Sequence, residues 1–417
     1  MLDLLITYTN FVILSLGYIV KRLTFFPPKP PHYISVKTDK EDEDEILFLL
    51  HTKKNKKPIY MEIKFKLLEY RFIKIINKDN EIIPLLLFIP PNHIPVCIIY
   101  SHGNSGDLGA CILEFYDIAI NTNCLVLSFE YPGFGDCMNQ TIKESMFYRN
   151  MRITYYFVRK ILGYKPEQII LYGFSMGTGI MLDFACRKEY PSAGMILQSP
   201  FLSIVRTLYD INRTMYFDLF NNVDKAKFLK TKTFFIHGNK DTVVPYIHGR
   251  ILAKLIPQEY FYDFLTVPNA NHNNLFKEKK DFIFKKIREF IKNCTGYYID
   301  FTKLNIDDSS NTTIDNDNNN NNLSDSYNKI NEEKEDNLNK AKILYNQDEK
   351  INPLTNNQIK TNNYIASNLK HNAHNYSSLN INNINNLNNN FENEMNNINN
   401  NTTNNKNINS IMNNFNK

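Results

Sequence analysis

The strongest chemical signal in the sequence is a serine placed between two glycines. Residues 173–177 read Gly-Phe-Ser-Met-Gly, after an apolar run at 169–172 and at the start of a segment of helical length, 176–188. A G-x-S-x-G pattern at a strand-to-helix turn is typical of a nucleophilic serine, because the tight turn lifts the hydroxyl clear of the sheet. Ser175 is therefore the candidate nucleophile, and a turn without chemistry is the alternative.

A serine hydroxyl needs a base to take its proton, and two later loops supply suitable residues. Asp241 follows the predicted strand 233–236, and His272 follows the predicted strand 264–267. This is the chain order of nucleophile, acid and base in α/β-hydrolases. We predict that His272 acts as general base and then acid, while Asp241 fixes its tautomer and stabilises the imidazolium. Taken singly, each would be an ordinary polar loop residue.

Such a reaction also needs an oxyanion hole, formed by two N–H groups that face the tetrahedral intermediate. Met176 opens the helix after the serine, so its backbone N–H is the first candidate. The second N–H should come from the loop after an earlier strand. We assign it to Asn104, which follows the predicted strand 96–100, with Ser105 as the alternative.

Other residues with ligand chemistry do not form a metal site in the sequence. His102 and His237 each precede a glycine at a strand end, and we expect them to shape their loops by hydrogen bonds rather than to transfer protons. The six cysteines lie far apart, without C-x-x-C or Cys/His ligand spacing, so we expect small buried residues in a reducing compartment. They are Cys97, Cys111, Cys124, Cys137, Cys186 and Cys294. No metal and no cofactor is expected.

The elements around these residues indicate an α/β fold. Short apolar strands are predicted at 96–100, 125–129, 169–172, 195–197, 233–236 and 264–267, with helix-length segments between them. Runs of period two at 59–66 and 71–76 precede them and look antiparallel, after a charged, loop-like stretch at 37–45. This order predicts an α/β-hydrolase fold, a mostly parallel sheet with helices on both faces. In such sheets ligands bind at the carboxyl ends of the strands, where the candidate residues lie.

Composition divides the 417 residues into three parts. Of the 117 residues from 301 to 417, 42 are asparagine, and such a segment cannot bury enough apolar surface to offset the entropy of ordering. We therefore predict a disordered low-complexity tail at 297–417, a hydrolase domain at 23–296 and an amino-terminal membrane anchor at 1–22. We assign no function to the tail.

The anchor prediction rests on residues 4–20, which carry no charge and are followed by Lys21 and Arg22. The positive-inside rule would leave the catalytic domain on the cytoplasmic side. A first helix packed on the globular core is the alternative. The net charge of +5 reflects lysine clusters at 53–57 and 277–286, which we interpret as solvated surface, with contact to an anionic membrane surface as the alternative. No module with interleaved stacking aromatics accompanies them, so no nucleic-acid partner is expected.

Several motifs resemble the alpha/beta hydrolase domain-containing protein 17 family, close to the Bem46-like hydrolases, across residues 22–290. They are Phe-Phe-Pro-Pro at 25–28, Ser-His-Gly-Asn-Ser-Gly-Asp-Leu-Gly at 101–109, Glu-Tyr-Pro-Gly-Phe-Gly at 130–135, and the segments 171–178, 198–200, 236–241 and 271–273. The resemblance implies a membrane-associated serine hydrolase that removes palmitate from protein cysteines. It also places nucleophile, acid and base at Ser175, Asp241 and His272.

The resemblance leaves alternatives open. The family carries an acylated cysteine cluster at its amino end, whereas the first cysteine of this chain is Cys97, so residues 4–20 would have to replace that anchor. The expected substrates are S-acylated membrane proteins or acyl esters met at a membrane surface. A lipid or small-ester hydrolase of the Bem46-like type is the nearest alternative, and peptidase activity is a further one. A non-catalytic membrane scaffold is the alternative from another functional class.

Overall fold

The computed structural model describes residues 15, 17–20, 22, 24–37, 44–51, 59–65, 67–77, 81–209 and 211–297. The predicted disordered tail lies outside these residues except for its first position, and most of the predicted anchor at 1–22 lies outside them too. The described residues between 15 and 24 are helical. Within the described ranges, no helix combines the length and the apolar character needed to cross a membrane.

Two sheets form the described structure. A small antiparallel sheet contains β1 (Tyr33–Lys37), β2 (Asp44–His51) and β3 (Ile59–Met61), in that order. The large sheet has eight strands: β4 (Glu69–Ile76), β5 (Ile82–Ile89), β6 (Ile94–Ser101), β7 (Cys124–Phe129), β8 (Ile169–Phe174), β9 (Gly194–Gln198), β10 (Thr233–Gly238) and β11 (Phe261–Val267). Their order is β11-β10-β9-β8-β6-β7-β5-β4. The pairs β4–β5 and β5–β7 are antiparallel, and the remaining pairs are parallel.

Helices cover the large sheet on both faces. They are α1 (Ile112–Thr122), α2 (Glu144–Tyr156), α3 (Met176–Ala185), α4 (Ile204–Leu208), α5 (Asn222–Lys225), α6 (Tyr246–Leu255) and α7 (Leu275–Thr295). Phe115 of α1 and Ile283 of α7 share an apolar cluster with Ile170 of β8. Leu171, whose side chain points to the opposite face, is equally buried, because α2 and α3 pack there. Burial on both faces explains why these strands read as continuous apolar runs.

The predicted fold class is confirmed: the described domain is a mostly parallel α/β sheet with helices on both faces and antiparallel strands at one edge. Two local predictions are wrong. The strand expected over 59–66 ends at Met61. The loop expected over 37–45 is wrong at its ends, since Lys37 of β1 is paired with Asp44 of β2, while residues 38–43 lie outside the described ranges. Opposite charges can face each other across two paired strands at the surface, so a charged stretch need not be a loop.

Candidate active site

Ser175 lies at a sharp turn between β8 and α3. Its backbone has φ 51° and ψ −118°, a conformation that a residue other than glycine seldom adopts and that costs free energy unless neighbours enforce it. The neighbours do so here: the N–H of Ser175 donates to the carbonyl oxygen of Gln198 (2.9 Å), and its carbonyl accepts from Thr178 N–H (2.9 Å) and Oγ1 (2.6 Å). The serine is thus held by backbone groups on both sides of the turn.

The two glycines of the motif leave room for this turn. A Cβ added to Gly173 would lie 2.7 Å from the carbonyl oxygen of Gly177, and one added to Gly177 would lie 2.0 Å from that of Ser101. Both distances are well inside contact range, and both obstacles are backbone atoms that cannot rotate away. The sequence pattern therefore has a steric cause in this fold.

The loops after β10 and β11 bring Asp241 and His272 to the serine. Nε2 of His272 lies 2.9 Å from Oγ of Ser175, and Nδ1 lies 2.7 Å from Oδ2 of Asp241. Because an ionised carboxylate only accepts, Nδ1 carries a proton, and Nε2 of the neutral ring is then free to accept one from the hydroxyl. His272 and Asp241 are both buried. The three residues form a continuous hydrogen-bonded relay.

Asp241 is held in its ionised form. Its Oδ1 accepts the N–H groups of Val243 (2.9 Å) and Val244 (2.8 Å), and Nε2 of His237 lies 3.3 Å from Oδ2. Burial raises the pKa of Asp241, but the hydrogen bonds from His237 and His272 outweigh it, and the net pKa is well below the usual value. A carboxylate so held can orient His272 and stabilise its imidazolium form.

The two N–H groups predicted for the oxyanion hole lie on segments next to the serine. Met176 is the first residue of α3, so its N–H has no acceptor within the helix. A Cβ added to Gly103 would lie 3.7 Å from Cβ of Ser175, which places the 103–104 peptide against the nucleophile. In the described part of the chain the N–H of Asn104 donates to no acceptor.

His102 orients that peptide. Its Nδ1 donates to the carbonyl oxygen of Gly103 (2.9 Å), and the N–H of Asn104 belongs to the same peptide group. In a trans peptide the N–H points opposite to the carbonyl, so this bond turns the Asn104 N–H away from the His102 ring. Nε2 of His102 lies 3.2 Å from Oε1 of the buried Glu130, and the ring stacks on Tyr131 at 3.8 Å between centroids.

His237 also acts within its own loop, as the sequence analysis expects. Its Nε2 donates to the carbonyl of Val244 (3.1 Å). Glu130 and Tyr131 contact His102 in the site but were not predicted as site residues from the sequence. A signal was available, because they directly follow β7 and so lie at the same edge of the sheet as the serine and the histidine.

The cysteines take no part in this arrangement. Cys97, Cys124 and Cys137 are buried, and all six are free thiols. Burial raises the pKa of Cys124 to about 12 and also raises that of Cys137 well above the usual value, so neither is a ready thiolate. Among the described residues no three histidine, cysteine or carboxylate groups converge as a metal site would require.

The chain is similar to one family model, to two curated relatives and to one solved structure named here. Residues 137–295 match the family model described as Phospholipase/Carboxylesterase. Human alpha/beta hydrolase domain-containing protein 17B is 29% identical over 260 residues, which cover 62% of this chain and 86% of that protein. The Caenorhabditis elegans alpha/beta hydrolase domain-containing protein aho-3 is 28% identical over 66% of this chain and 77% of its own length. A solved Pyrococcus furiosus esterase covers 55% of this chain and 92% of its own, with 16% identity and a TM-score of 0.45.

Proposed function

We propose that this chain, an α/β-hydrolase similar to the alpha/beta hydrolase domain-containing protein 17 proteins, is a serine hydrolase that cleaves acyl thioesters of membrane proteins. The resemblance drawn from the motifs is confirmed by these relatives, and it favours hydrolase activity. The single observation that carries the mechanism is the relay Ser175–His272–Asp241, with contacts of 2.9 and 2.7 Å.

Acylation of Ser175 is the first half of the proposed reaction. Oγ attacks the thioester carbonyl carbon as its proton passes to Nε2 of His272, and Asp241 stabilises the imidazolium. The carbonyl oxygen becomes an oxyanion that accepts the N–H groups of Asn104 and Met176. When the tetrahedral intermediate collapses, the carbon–sulphur bond breaks and His272 returns its proton to the departing thiolate.

Deacylation repeats these steps with water. His272 takes a proton from a water molecule as the water oxygen attacks the acyl carbon of the acyl-enzyme. The second tetrahedral intermediate expels Oγ of Ser175, which recovers its proton from His272. The products are a fatty acid and the free thiol of the substrate protein, and the enzyme is restored.

Exposed apolar side chains support the proposed membrane association. Tyr216 is 90% exposed and Tyr18 is 64% exposed. A Cβ added to Gly17 would lie 3.7 Å from Cβ of Phe217, so Tyr216 lies next to the predicted anchor that carries Tyr18. Exposed aromatic side chains beside an anchor suit an enzyme whose substrate acyl chain lies in lipid.

Hydrolysis of oxygen esters is the second candidate. The matching family model is described as Phospholipase/Carboxylesterase, which favours it. An oxygen ester passes through the same tetrahedral oxyanion, so the relay and the two N–H groups serve both substrates equally. The two candidate functions differ in the leaving group and in the molecule that carries the acyl chain. The relative rates on a thioester and an oxygen ester distinguish them.

The test uses two substrates with the same acyl chain, a palmitoyl thioester and the corresponding oxygen ester. We expect wild-type protein to hydrolyse the thioester with the higher kcat/KM, and Ser175→Ala to lose several orders of magnitude on both. Preference for the oxygen ester would favour the second candidate. No turnover of either substrate by wild-type protein would favour a non-catalytic scaffold.

Removal of residues 1–22 tests the membrane part of the proposal. We expect the truncated protein to move from the membrane to the soluble fraction with kcat on a soluble thioester nearly unchanged. Turnover of palmitate on membrane proteins in cells should fall, because tethering raises the effective concentration of enzyme at its substrate. Equal loss on both substrates would mean that the segment is part of the catalytic domain, and no loss on either would contradict a membrane site of action.

A further inference from the structure

The segment 24–32, which we call the strap, crosses the loop 101–109, which we call the oxyanion loop. Both ends of the Asn104 side-chain amide are used in this crossing. Nδ2 donates to the carbonyl oxygen of Thr24, and Oδ1 accepts the backbone N–H of Phe26 at 3.4 Å. The side chain of the residue that carries the proposed oxyanion donor is therefore bound to a different part of the chain.

A second contact joins the far end of the strap to the same loop. Asp107 is fully buried, and its Oδ2 accepts the backbone N–H of His32 at 2.7 Å. Oδ1 of Asp107 lies 3.3 Å from Nδ1 of His32 and accepts the N–H of Ala110 at 2.9 Å. A Cβ added to Gly109 would lie 2.5 Å from the carbonyl oxygen of His32, so the two backbones are in close contact.

The strap is itself fixed to the domain. Phe25 is buried and stacks on Phe147 of α2 at 5.3 Å between ring centroids, with Phe220 at 6.2 Å. The carbonyl of His32 accepts the N–H of Leu49 in β2 at 2.7 Å. These contacts fix the strap to the domain, so it can hold the oxyanion loop in place, as a loosely attached terminal segment could not.

We propose that the strap is a positioning element of the hydrolytic site, which sets the place of the Asn104 N–H relative to Ser175 through the Asn104 side chain. The inference rests on the proposed function, because it gives the Asn104 N–H the role of oxyanion donor. It goes beyond that function by assigning a role in catalysis to residues 24–32, whose hydrogen bonds to the site go to the oxyanion loop rather than to the relay.

The position of the Asn104 N–H matters because an oxyanion donor works only over a narrow range of distance from the oxyanion. The N–H must lie about 2.7–3.1 Å from the oxyanion, and a shift of about 1 Å removes most of its effect. His102 fixes the rotation of the 103–104 peptide, since it binds the Gly103 carbonyl, but one hydrogen bond does not fix its translation. The two contacts of the Asn104 amide supply that second restraint.

The experiment compares three single variants of the full chain. Asn104→Ala keeps the backbone N–H and removes both amide contacts. Phe26→Pro removes the N–H that Asn104 accepts, and Phe26→Ala is its matched control, because it removes the exposed side chain and keeps the N–H. Active sites are counted by stoichiometric reaction with a fluorophosphonate, so that kcat refers to folded protein only.

We expect kcat per active site to fall about 10-fold in Asn104→Ala and to a smaller extent in Phe26→Pro, as a partly displaced oxyanion donor should do. KM should change by less than about twofold, and the affinity for a boronic acid that adds to Ser175 should fall with kcat/KM. Phe26→Ala should match wild type. Asn104→Ala and Phe26→Pro both remove the hydrogen bond from the Phe26 N–H to the Asn104 side chain. The losses in kcat should therefore not add in the variant that carries both changes.

Wild-type kcat per active site in Asn104→Ala would overturn the inference. An equal loss in Phe26→Ala and Phe26→Pro would overturn it as well, because the side chain and not the N–H would then be responsible. A purely structural role would lower the melting temperature and the number of active sites without changing kcat per site. Failure of the proposed function would look different: wild-type protein itself would neither react with the fluorophosphonate nor turn over a thioester.

Discussion

The turn at 173–177 that carries Ser175, the nucleophile turn, lies against the oxyanion loop, but the two segments are held in different ways. Ser175 is fixed by backbone groups of its own turn and of the adjacent strand β9, through its bonds to Thr178 and Gln198. Asn104 is fixed by Thr24 and Phe26, which are 80 and 78 residues away along the chain. The nucleophile geometry thus depends on backbone contacts within the turn and the central strands, whereas the position of the oxyanion donor also depends on a side-chain contact with the strap.

This difference predicts how the two regions respond to change. A change inside the turn should abolish the reaction or the fold, because no other contact can replace the backbone geometry. A change in the strap should leave Ser175 reactive and lower the rate, because only the donor is displaced. The largest effect is expected from changes in the relay.

His272→Ala and Ser175→Ala should each lower kcat by several orders of magnitude, since either removes the proton transfer on which attack depends. The double variant should be little worse than either single one, because the residues act as a unit. Steady-state hydrolysis of a short-chain nitrophenyl ester by all three proteins measures this. Losses that multiply in the double variant would show that His272 is not the base for Ser175.

Gly177→Ala should destabilise the fold, since the new Cβ would lie 2.0 Å from the carbonyl oxygen of Ser101. We expect about 3 kcal/mol or more in urea unfolding, the upper range of overpacking effects. Gly163→Ala is the control: Gly163 has φ 77° but no atom within 4 Å of the added Cβ, so only backbone strain of about 1–2 kcal/mol applies. A smaller effect for Gly177→Ala than for Gly163→Ala would contradict the steric account of the turn.

Asp241→Asn should show how the carboxylate contributes to stability. Because the pKa of Asp241 is lowered in the folded state, its contribution is complete above the unfolded pKa of about 3.9 and is lost as the pH falls through the folded value. The difference in unfolding free energy between wild type and variant should be constant from about pH 7 to 5 and shrink below about pH 4. A difference that already shrinks between pH 7 and 5 would mean a raised pKa.

Removal of residues 301–417 should have the smallest effect. The segment is rich in asparagine and offers no apolar face to the domain, so melting temperature and kcat should stay close to those of the full chain. Differential scanning calorimetry and esterase assays on the two proteins check this. A large fall in melting temperature would show that the segment packs on the domain.

The nucleophile turn could be predicted from the sequence because its determinants are close together. The pattern at 173–177, the apolar run before it and the helix after it all lie within about 20 residues. The loops that carry Asp241 and His272 could be predicted because the carboxyl ends of parallel strands meet at one edge of a sheet. The structure brings all three residues together, and their catalytic roles stay predictions.

The strap and the small sheet could not be predicted in the same way. The pairing of β1 with β2 has no strong period-two pattern, and their charged ends look like a loop. The contacts from His32 to Asp107 and from Phe26 to Asn104 join residues 75 and 78 positions apart, and nothing in either local sequence points to the other. Such contacts are decided by packing, which only the folded domain reveals.

The most direct test of the central claim is the site at which a fluorophosphonate reacts. We expect a single adduct on Ser175, mapped by mass spectrometry of the digested protein, because among the described residues the hydroxyl of Ser175 has both the relay and the N–H groups beside it. The adduct should be absent in Ser175→Ala and form far more slowly in His272→Ala. An adduct on another residue, or equal labelling of wild type and Ser175→Ala, would contradict the assignment of this chain as a serine hydrolase acting through Ser175.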